Sequence, residues 1–357
     1  MEKLLQWSQK VLSVNKEATQ AMLNLIRSCG SIAIIGMDKN VGKTTVLNHI
    51  ISKTEDSKIL GLTSIGRDGE SQDRVTKTYK PQIYVRKNTI IGTSRQCLEQ
   101  SDITKEILET TDMNTPMGKI IIIRALSDGF VEIAGPSVTE QMKIIVKKLK
   151  KWGADLILVD GAISRMTQCS PSIVDEAILC TGASLSKNMI EVTKKTSHVV
   201  KMLTLSKFKD VNVLDYIRKN EDKRALFFYE NKILNLDCKT ALELSEKIQD
   251  YIDDDLKAIS IKGVLSENLC KKIVSIKNTK KTIDLIIEDG TKSFISEEIF
   301  EQLSRNNVQL YVKDEIAMNL LCYNPYSYDG YLFDNNEFKM LLEKEIPLKI
   351  VNVLEGA

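Results

Sequence analysis

Residues 32–45, IAIIGMDKNVGKTT, pass from an uninterrupted apolar run through a glycine-bearing loop into Gly42-Lys43-Thr44-Thr45. Such a stretch reads as a buried strand, a tight turn and the start of a helix. In that arrangement the N–H groups of the turn and of the helix N-terminus converge, with the positive end of the helix dipole behind them. An anion is held there, and a lysine and a hydroxyl at the helix start supply a cation for phosphate and a ligand for magnesium. The usual pattern has a glycine five residues before the Gly-Lys-Thr triplet. Here Met37 stands in that place and the glycine is Gly36, one residue early. A structural turn with a chance lysine is the competing reading. It does not account for a triplet set between an apolar strand and a helix.

The rest of the chain carries the same alternation. Lys58 to Thr63 reads as a second strand that runs into Thr63-Ser64-Ile65-Gly66-Arg67-Asp68-Gly69-Glu70. Ile83 to Val85 and Thr89 to Gly92 are expected to form a hairpin over Arg86-Lys87-Asn88. Lys119 to Arg124 gives a buried strand, with Phe130 to Ala134 expected beside it. Ser137 and Glu140 have capping-box spacing for a helix that ends near Trp152-Gly153. Leu156 to Asp160 and Ala177 to Thr181 are further strands, with a helix over about 186–201. Continuous apolar strands alternating with amphipathic helices predict an α/β fold, a doubly wound and mostly parallel sheet of the phosphate-loop type. After Leu205 the alternation weakens. Strands recur at Ala258 to Ile261, Ile283 to Ile287 and Gln309 to Val312 without a second phosphate signature. The expected division is an N-terminal helical segment over 1–30, a nucleotide-binding domain over 31–208 and a smaller α/β region over 209–357 available to partners.

Composition excludes several classes. The 357 residues carry 50 basic and 48 acidic side chains, a formal charge of +2, so no nucleic-acid or membrane field is implied. The longest apolar runs are strand-length, and the first thirty residues lack the apolar core of a signal peptide, which predicts a cytoplasmic protein. Seven cysteines occur singly with no CxxC pair, and His49 and His198 are the two histidines. That argues against a zinc cluster, a disulfide framework and a cysteine or serine nucleophile with a histidine base.

Gly36, Asp38, Val41, Gly42, Lys43 and Thr44 spell Gly-x-Asp-x-x-Val-Gly-Lys-Thr, the loop register of dethiobiotin synthetase and its relatives, the cobyrinate amidases among them. By that resemblance Lys43 holds phosphate and Thr44 ligates magnesium. Lys39, Asn40 and Thr45 complete the candidate binding loop, Lys39 only as a contact. LILVDGAIS, 156–164, is similar to the strand end at which those relatives place a magnesium-binding carboxylate before Gly-Ala-Gly-Gly. Asp160, Gly161 and Ala162 fit, whereas Ile163 and Ser164 depart from the two glycines. A strand-terminal aspartate is also the expected position of a metal carboxylate in such a fold, and a helix cap or solvated strand end is the alternative. Asp68 is a second candidate, as magnesium ligand or as the group that orients a water, with Arg67 beside it to neutralise phosphate. The same letters would make a polar surface turn. Tyr79-Lys80-Pro81 resembles a Lys-Pro of dethiobiotin synthetases but comes too late in the chain to take that role. No Asn/Thr-Lys-x-Asp motif supports guanine, so ATP with Mg2+ is the expected ligand.

Residues 135–196, taken with the KNVGKTT loop and TSIGRDGE, resemble the family of smaller reactivase subunits encoded with lysine 5,6-aminomutase in anaerobic lysine fermentation. The resemblance implies repair of an adenosylcobalamin enzyme. A larger, mismatch-repair-like ATPase and the aminomutase would be the partners, the 63–70 loop would respond to the γ-phosphate, and any ATPase activity would depend on those partners. The rival is an ATP-dependent carboxylate-activating ligase of the dethiobiotin synthetase class. Ile163 and Ser164, and the long C-terminal region, weigh against it.

Overall fold

The computed structural model describes residues 16–54, 58–66, 83–162, 167, 169–238, 240–276 and 281–353. The chain forms two compact units, one of residues 1–196 and 317–357 and one of residues 197–316.

Among the described residues of the first unit the helix Lys16–Ser28 is followed by β1 (Ser31–Gly36), the helix Lys43–Lys53 and β2 (Leu60–Ser64). Next come β3 (Ile83–Val85), β4 (Ile90–Ser94), β5 (Lys105–Thr115), β6 (Gly118–Ala125) and β7 (Gly129–Val131). The helix Thr139–Lys151, β8 (Leu156–Ala162) and β9 (Glu176–Gly182) follow, and the helix Met189–Leu203 carries the chain into the second unit. That unit holds β10 (Ala225–Tyr229), β11 (Ile233–Leu236), β12 (Leu256–Ile261), β13 (Leu265–Ser266), β14 (Ile283–Ile287), β15 (Ser293–Phe294) and β16 (Val308–Val312). The chain then returns to the first unit with β17 (Leu320–Asn324), the helix Asn335–Glu345 and β18 (Lys349–Val351).

The first unit is built on a nine-stranded sheet in the order β18-β17-β9-β1-β8-β2-β4-β6-β5. Every pairing from β18 to β4 is parallel, and β6 runs antiparallel to both β4 and β5. All residues of β1, β2, β4 and β9 are buried, as expected of strands covered on both faces. The helix Thr139–Lys151 shows how a face is covered. Met142, Ile145, Val146 and Leu149 recur at helical spacing and are buried, while lysines fill its last turn. Each such side chain contributes roughly 1.5–3 kcal/mol by leaving water. The helix stops at Trp152, and Gly153 follows at φ +99°.

Four expectations are corrected. The hairpin over 86–88 does not form: β3 pairs antiparallel with β7, and β4 enters the main sheet between β2 and β6. Arg86 gives the reason, since its guanidinium donates to the carbonyls of Ser52 and Thr54 at the end of the helix Lys43–Lys53 and turns the chain there. Phe130 to Ala134 does not lie beside β6, because β4 and β5 occupy both its edges. The capping box at 137–140 is not made. Val138 caps the helix without a side-chain bond, and Glu140 pairs with Lys143 at 2.6 Å. Residues 209–357 are not one region: the second unit starts at 197, and 317–357 belong to the first unit, where β17 supplies the parallel neighbour that the buried strand β9 needs.

The second unit has its own five-stranded sheet, β11-β10-β12-β14-β16, parallel from β12 to β16 with β10 and β11 antiparallel at one side. Phe227, Ile259, Leu269, Ile273, Leu285 and Leu303 lie in its core.

Candidate phosphate-loop site

β1 ends at Gly36, and the chain folds back on that residue before the helix Lys43–Lys53 begins. A Cβ at Gly36 would stand 3.0 Å from Val41 Cγ2 and 3.1 Å from the carbonyl oxygen of Asp38, so the early glycine is where the loop closes on itself. Met37, in the place where the usual pattern has glycine, continues the sheet: its N–H donates to the carbonyl of Cys180 on β9 at 2.9 Å. Asp38 Oδ1 accepts from the N–H of Lys39 at 2.7 Å, and Asn40 takes a left-handed conformation at φ 60°. Val41 is buried and pins the loop to the core. Gly42 caps the helix at φ +90°, a conformation that a side chain would strain.

Gly42 has no side chain to cap the helix, and the first turn contains no acidic residue. The amides of Lys43, Thr44 and Thr45 belong to that first turn, where no intrahelical acceptor exists. The result is a concentration of N–H groups and positive dipole with no carboxylate of the helix competing for it.

Asp160 comes to the same place from β8. Strand register sets Asp160 beside Ile34 of β1 and Ser64 of β2. Its Oδ1 lies 3.0 Å from Lys43 Nζ, with both side chains about three-quarters buried. The approach lacks hydrogen-bond directionality, and that buried oxygen receives no donor. The backbone carbonyl of Asp160 accepts from the N–H of Ile65 at 3.1 Å, so the pairing of β2 with β8 continues one residue past β2. Thr63 and Ser64 are spent on structure: Thr63 Oγ1 donates to Gly92 O, and Ser64 Oγ donates to Ile133 O and accepts from the N–H of Gly135. The N–H of Gly66 donates to Pro136 O. Arg67, Asp68, Gly69 and Glu70, the Tyr79-Lys80-Pro81 run, and Ile163 and Ser164 lie outside the described residues.

The structure thus brings together Gly36, Asp38, Lys39, Asn40, Val41, Gly42, Lys43, Thr44, Thr45 and Asp160 at the carboxyl edge of the central strands. That edge is where open α/β sheets bind ligands. A carboxylate oxygen that is ion-paired with Lys43 but accepts no hydrogen bond, and a threonine hydroxyl in the first helical turn, are hard donors, the chemistry that suits Mg2+ shared with phosphate and water. Among the described residues no cluster of three His, Cys, Asp or Glu side chains would hold a cation alone.

Two residues that sequence reasoning missed hold the loop from the other side. Asn324, at the end of β17, donates from Nδ2 to Asn40 O at 3.1 Å, and its Cβ would lie 3.5 Å from a Cβ at Gly42. Ser184, just after β9, donates from Oγ to the same carbonyl at 3.4 Å. The signal available for Asn324 is the run Leu320-Leu321-Cys322-Tyr323-Asn324, a continuous apolar strand ending in a polar residue, as in β8.

No family model matches the sequence, and no curated protein matches it. Among solved structures, the chain is similar to the crystal structure of signal recognition particle receptor FtsY from Elizabethkingia anophelis, at 10% identity over 91% of this chain and 71% of that one. The TM-score is 0.23. Among the described residues no helix is long and apolar enough to cross a membrane.

Proposed function

We propose that the 36–45 loop binds the phosphates of ATP, with magnesium between Thr44 and Asp160. We propose further that the chain serves as the smaller subunit of a reactivase for lysine 5,6-aminomutase. One observation carries the nucleotide reading: Lys43 and Asp160 Oδ1, which accepts no hydrogen bond, meet 3.0 Å apart beside a helix N-terminus that has no side-chain cap. A phosphate oxygen would take Lys43 from Asp160 and accept from the amides of Lys43 to Thr45. The carboxylate thereby freed would face the cation, which when bound neutralises charge on the β- and γ-phosphates. Asp68, four residues after β2 in the sequence, is proposed to orient the attacking water or to join the metal ligands.

The repair role rests on the resemblance of residues 39–45, 63–70 and 135–196 to that family. Under it, ATP binding lets damaged cobalamin leave the inactivated aminomutase, together with the larger mismatch-repair-like ATPase. Titration calorimetry with ATP and Mg2+ on the wild type and on Lys43→Ala tests the site. The wild type should bind, and the variant should lose at least about tenfold in affinity, as expected for a charge-assisted contact. Equal binding would end the nucleotide reading. Incubating inactivated aminomutase with both subunits and ATP tests the role: activity should return with the wild type and not with Lys43→Ala, and no return with the wild type would end the repair reading.

A further inference from the structure

Other carboxylates of the first unit are held by hydrogen bonds. Glu109 accepts from the Lys148 ammonium and from the Trp152 indole. Asp175 accepts from the N–H of Gly30 and the hydroxyl of Ser31, and Glu176 from the N–H and the side-chain amide of Asn319. Asp160 Oδ1 accepts no hydrogen bond and has the Lys43 ammonium 3.0 Å away, with both side chains about three-quarters buried. A buried pair without hydrogen bonds recovers little of the desolvation of its two charges, so it adds little to the stability of the fold. What it does fix is the charge of the empty site. The lysine that would hold phosphate is neutralised by the carboxylate that would hold the cation.

Each ligand by itself meets the wrong charge there. A polyphosphate without metal that draws Lys43 away leaves the Asp160 carboxylate uncompensated beside further negative charge. A divalent cation without phosphate that reaches Asp160 leaves the Lys43 ammonium uncompensated beside further positive charge. Like charges a few ångströms apart and partly buried weaken binding by about tenfold or more. With both ligands bound, Lys43 is paired with phosphate and Asp160 with the cation, and neither charge stands alone. From this we infer that the Lys43–Asp160 pair is a latch on the empty site, which admits a polyphosphate and a divalent cation together and disfavours either alone. The inference rests on the proposed phosphate site. It adds a regulation of that site: the coupling between metal and nucleotide resides in this pair, and neutralising either partner relieves it in a stated direction.

Calorimetry with ATP in EDTA, and electron paramagnetic resonance of Mn2+ without nucleotide, read the two halves separately. Asp160→Asn keeps the shape and removes the charge, so it should bind metal-free ATP at least about fivefold more tightly than the wild type, a coupling of ordinary size. A carboxylate that serves only as a metal ligand predicts no change in metal-free affinity. Lys43→Gln should bind Mn2+ alone more tightly than the wild type, and adding Asp160→Asn should abolish that gain. Circular dichroism checks that each variant is folded; where Asp160→Asn is not, Lys43→Gln decides alone. The latch is overturned if metal-free ATP binds Asp160→Asn no better than the wild type, or if Mn2+ binds Lys43→Gln no better than the wild type. A wild type that binds Mg-ATP while a variant behaves so keeps the phosphate site and loses only the latch. A wild type that binds no Mg-ATP loses both.

Discussion

His49 sits on the buried face of the helix that follows the phosphate loop, 4% exposed, and its Nε2 has no hydrogen-bond partner. Burial lowers its pKa from 6.5 to about 4, and the Lys53 cation one turn away adds to the effect. A base with a depressed folded-state pKa resists protonation in the native protein, while the unfolded chain accepts the proton at its ordinary value. Its stabilising contribution is therefore complete above about pH 6.5 and is lost as pH falls toward 4. By that linkage the wild type should lose about 2 kcal/mol from this residue between pH 7 and pH 5. Urea denaturation at the two pH values should show the drop, and His49→Leu, which cannot titrate, should show a flatter dependence. An identical pH slope in the variant would mean that the imidazole is hydrated in the native state. The loss matters beyond stability, because His49 lies five residues from Thr44 on the helix whose first turn supplies the anion-binding amides.

At the scale of elements, the helix Thr139–Lys151 makes the cost of misfit measurable. Leu149 is fully buried, its Cβ 3.5 Å from where a Cβ at Gly61 would be and its Cδ2 3.8 Å from the same point at Gly92. Those two strand glycines leave the helix no slack to collapse into a void. Leu149→Ala should cost about 3 kcal/mol in unfolding free energy, against less than about 0.5 kcal/mol for the exposed Lys147→Ala. Comparable midpoints for the two variants would show that the helix packs loosely. This helix, β1, β8 and β9 were legible in the sequence because a continuous apolar run, or a 3.6-residue period, is a local signal. The pairing of β3 with β7 was not, since it depends on Arg86 reaching carbonyls more than thirty residues earlier in the chain. The candidate site divides the same way. Gly42, Lys43 and Thr44 announce themselves by spacing, and Asp160 by its place at the end of an apolar strand. Asn324 contacts Asn40 from 284 positions away, and no periodicity encodes that approach.

For the whole molecule, the arrangement is an insertion: residues 197–316 leave the first unit within the helix that follows β9, and the chain comes back as β17 beside that same β9. The inserted unit has a complete sheet and a contiguous core in which Phe227, Ile259, Cys270, Ile273 and Leu285 are fully buried. Met202 and Leu205, from the end of the helix Met189–Leu203 and just beyond it, also belong to that core. A unit with its own sheet and core is expected to fold alone, provided those anchoring residues are kept. The fragment 186–316 should therefore give a mixed α/β circular dichroism spectrum and a single cooperative thermal transition. The first unit should behave otherwise when cut: a chain ending at 316 loses β17 and β18, exposes the apolar edge of β9 and removes the Asn324 contact to the phosphate loop. That truncation should aggregate, or lose Mg-ATP binding, while the inserted fragment stays folded. If 186–316 is instead unstructured and the 1–316 chain still binds Mg-ATP, the two units are not separate folding bodies, and the returning strands serve neither the sheet nor the loop.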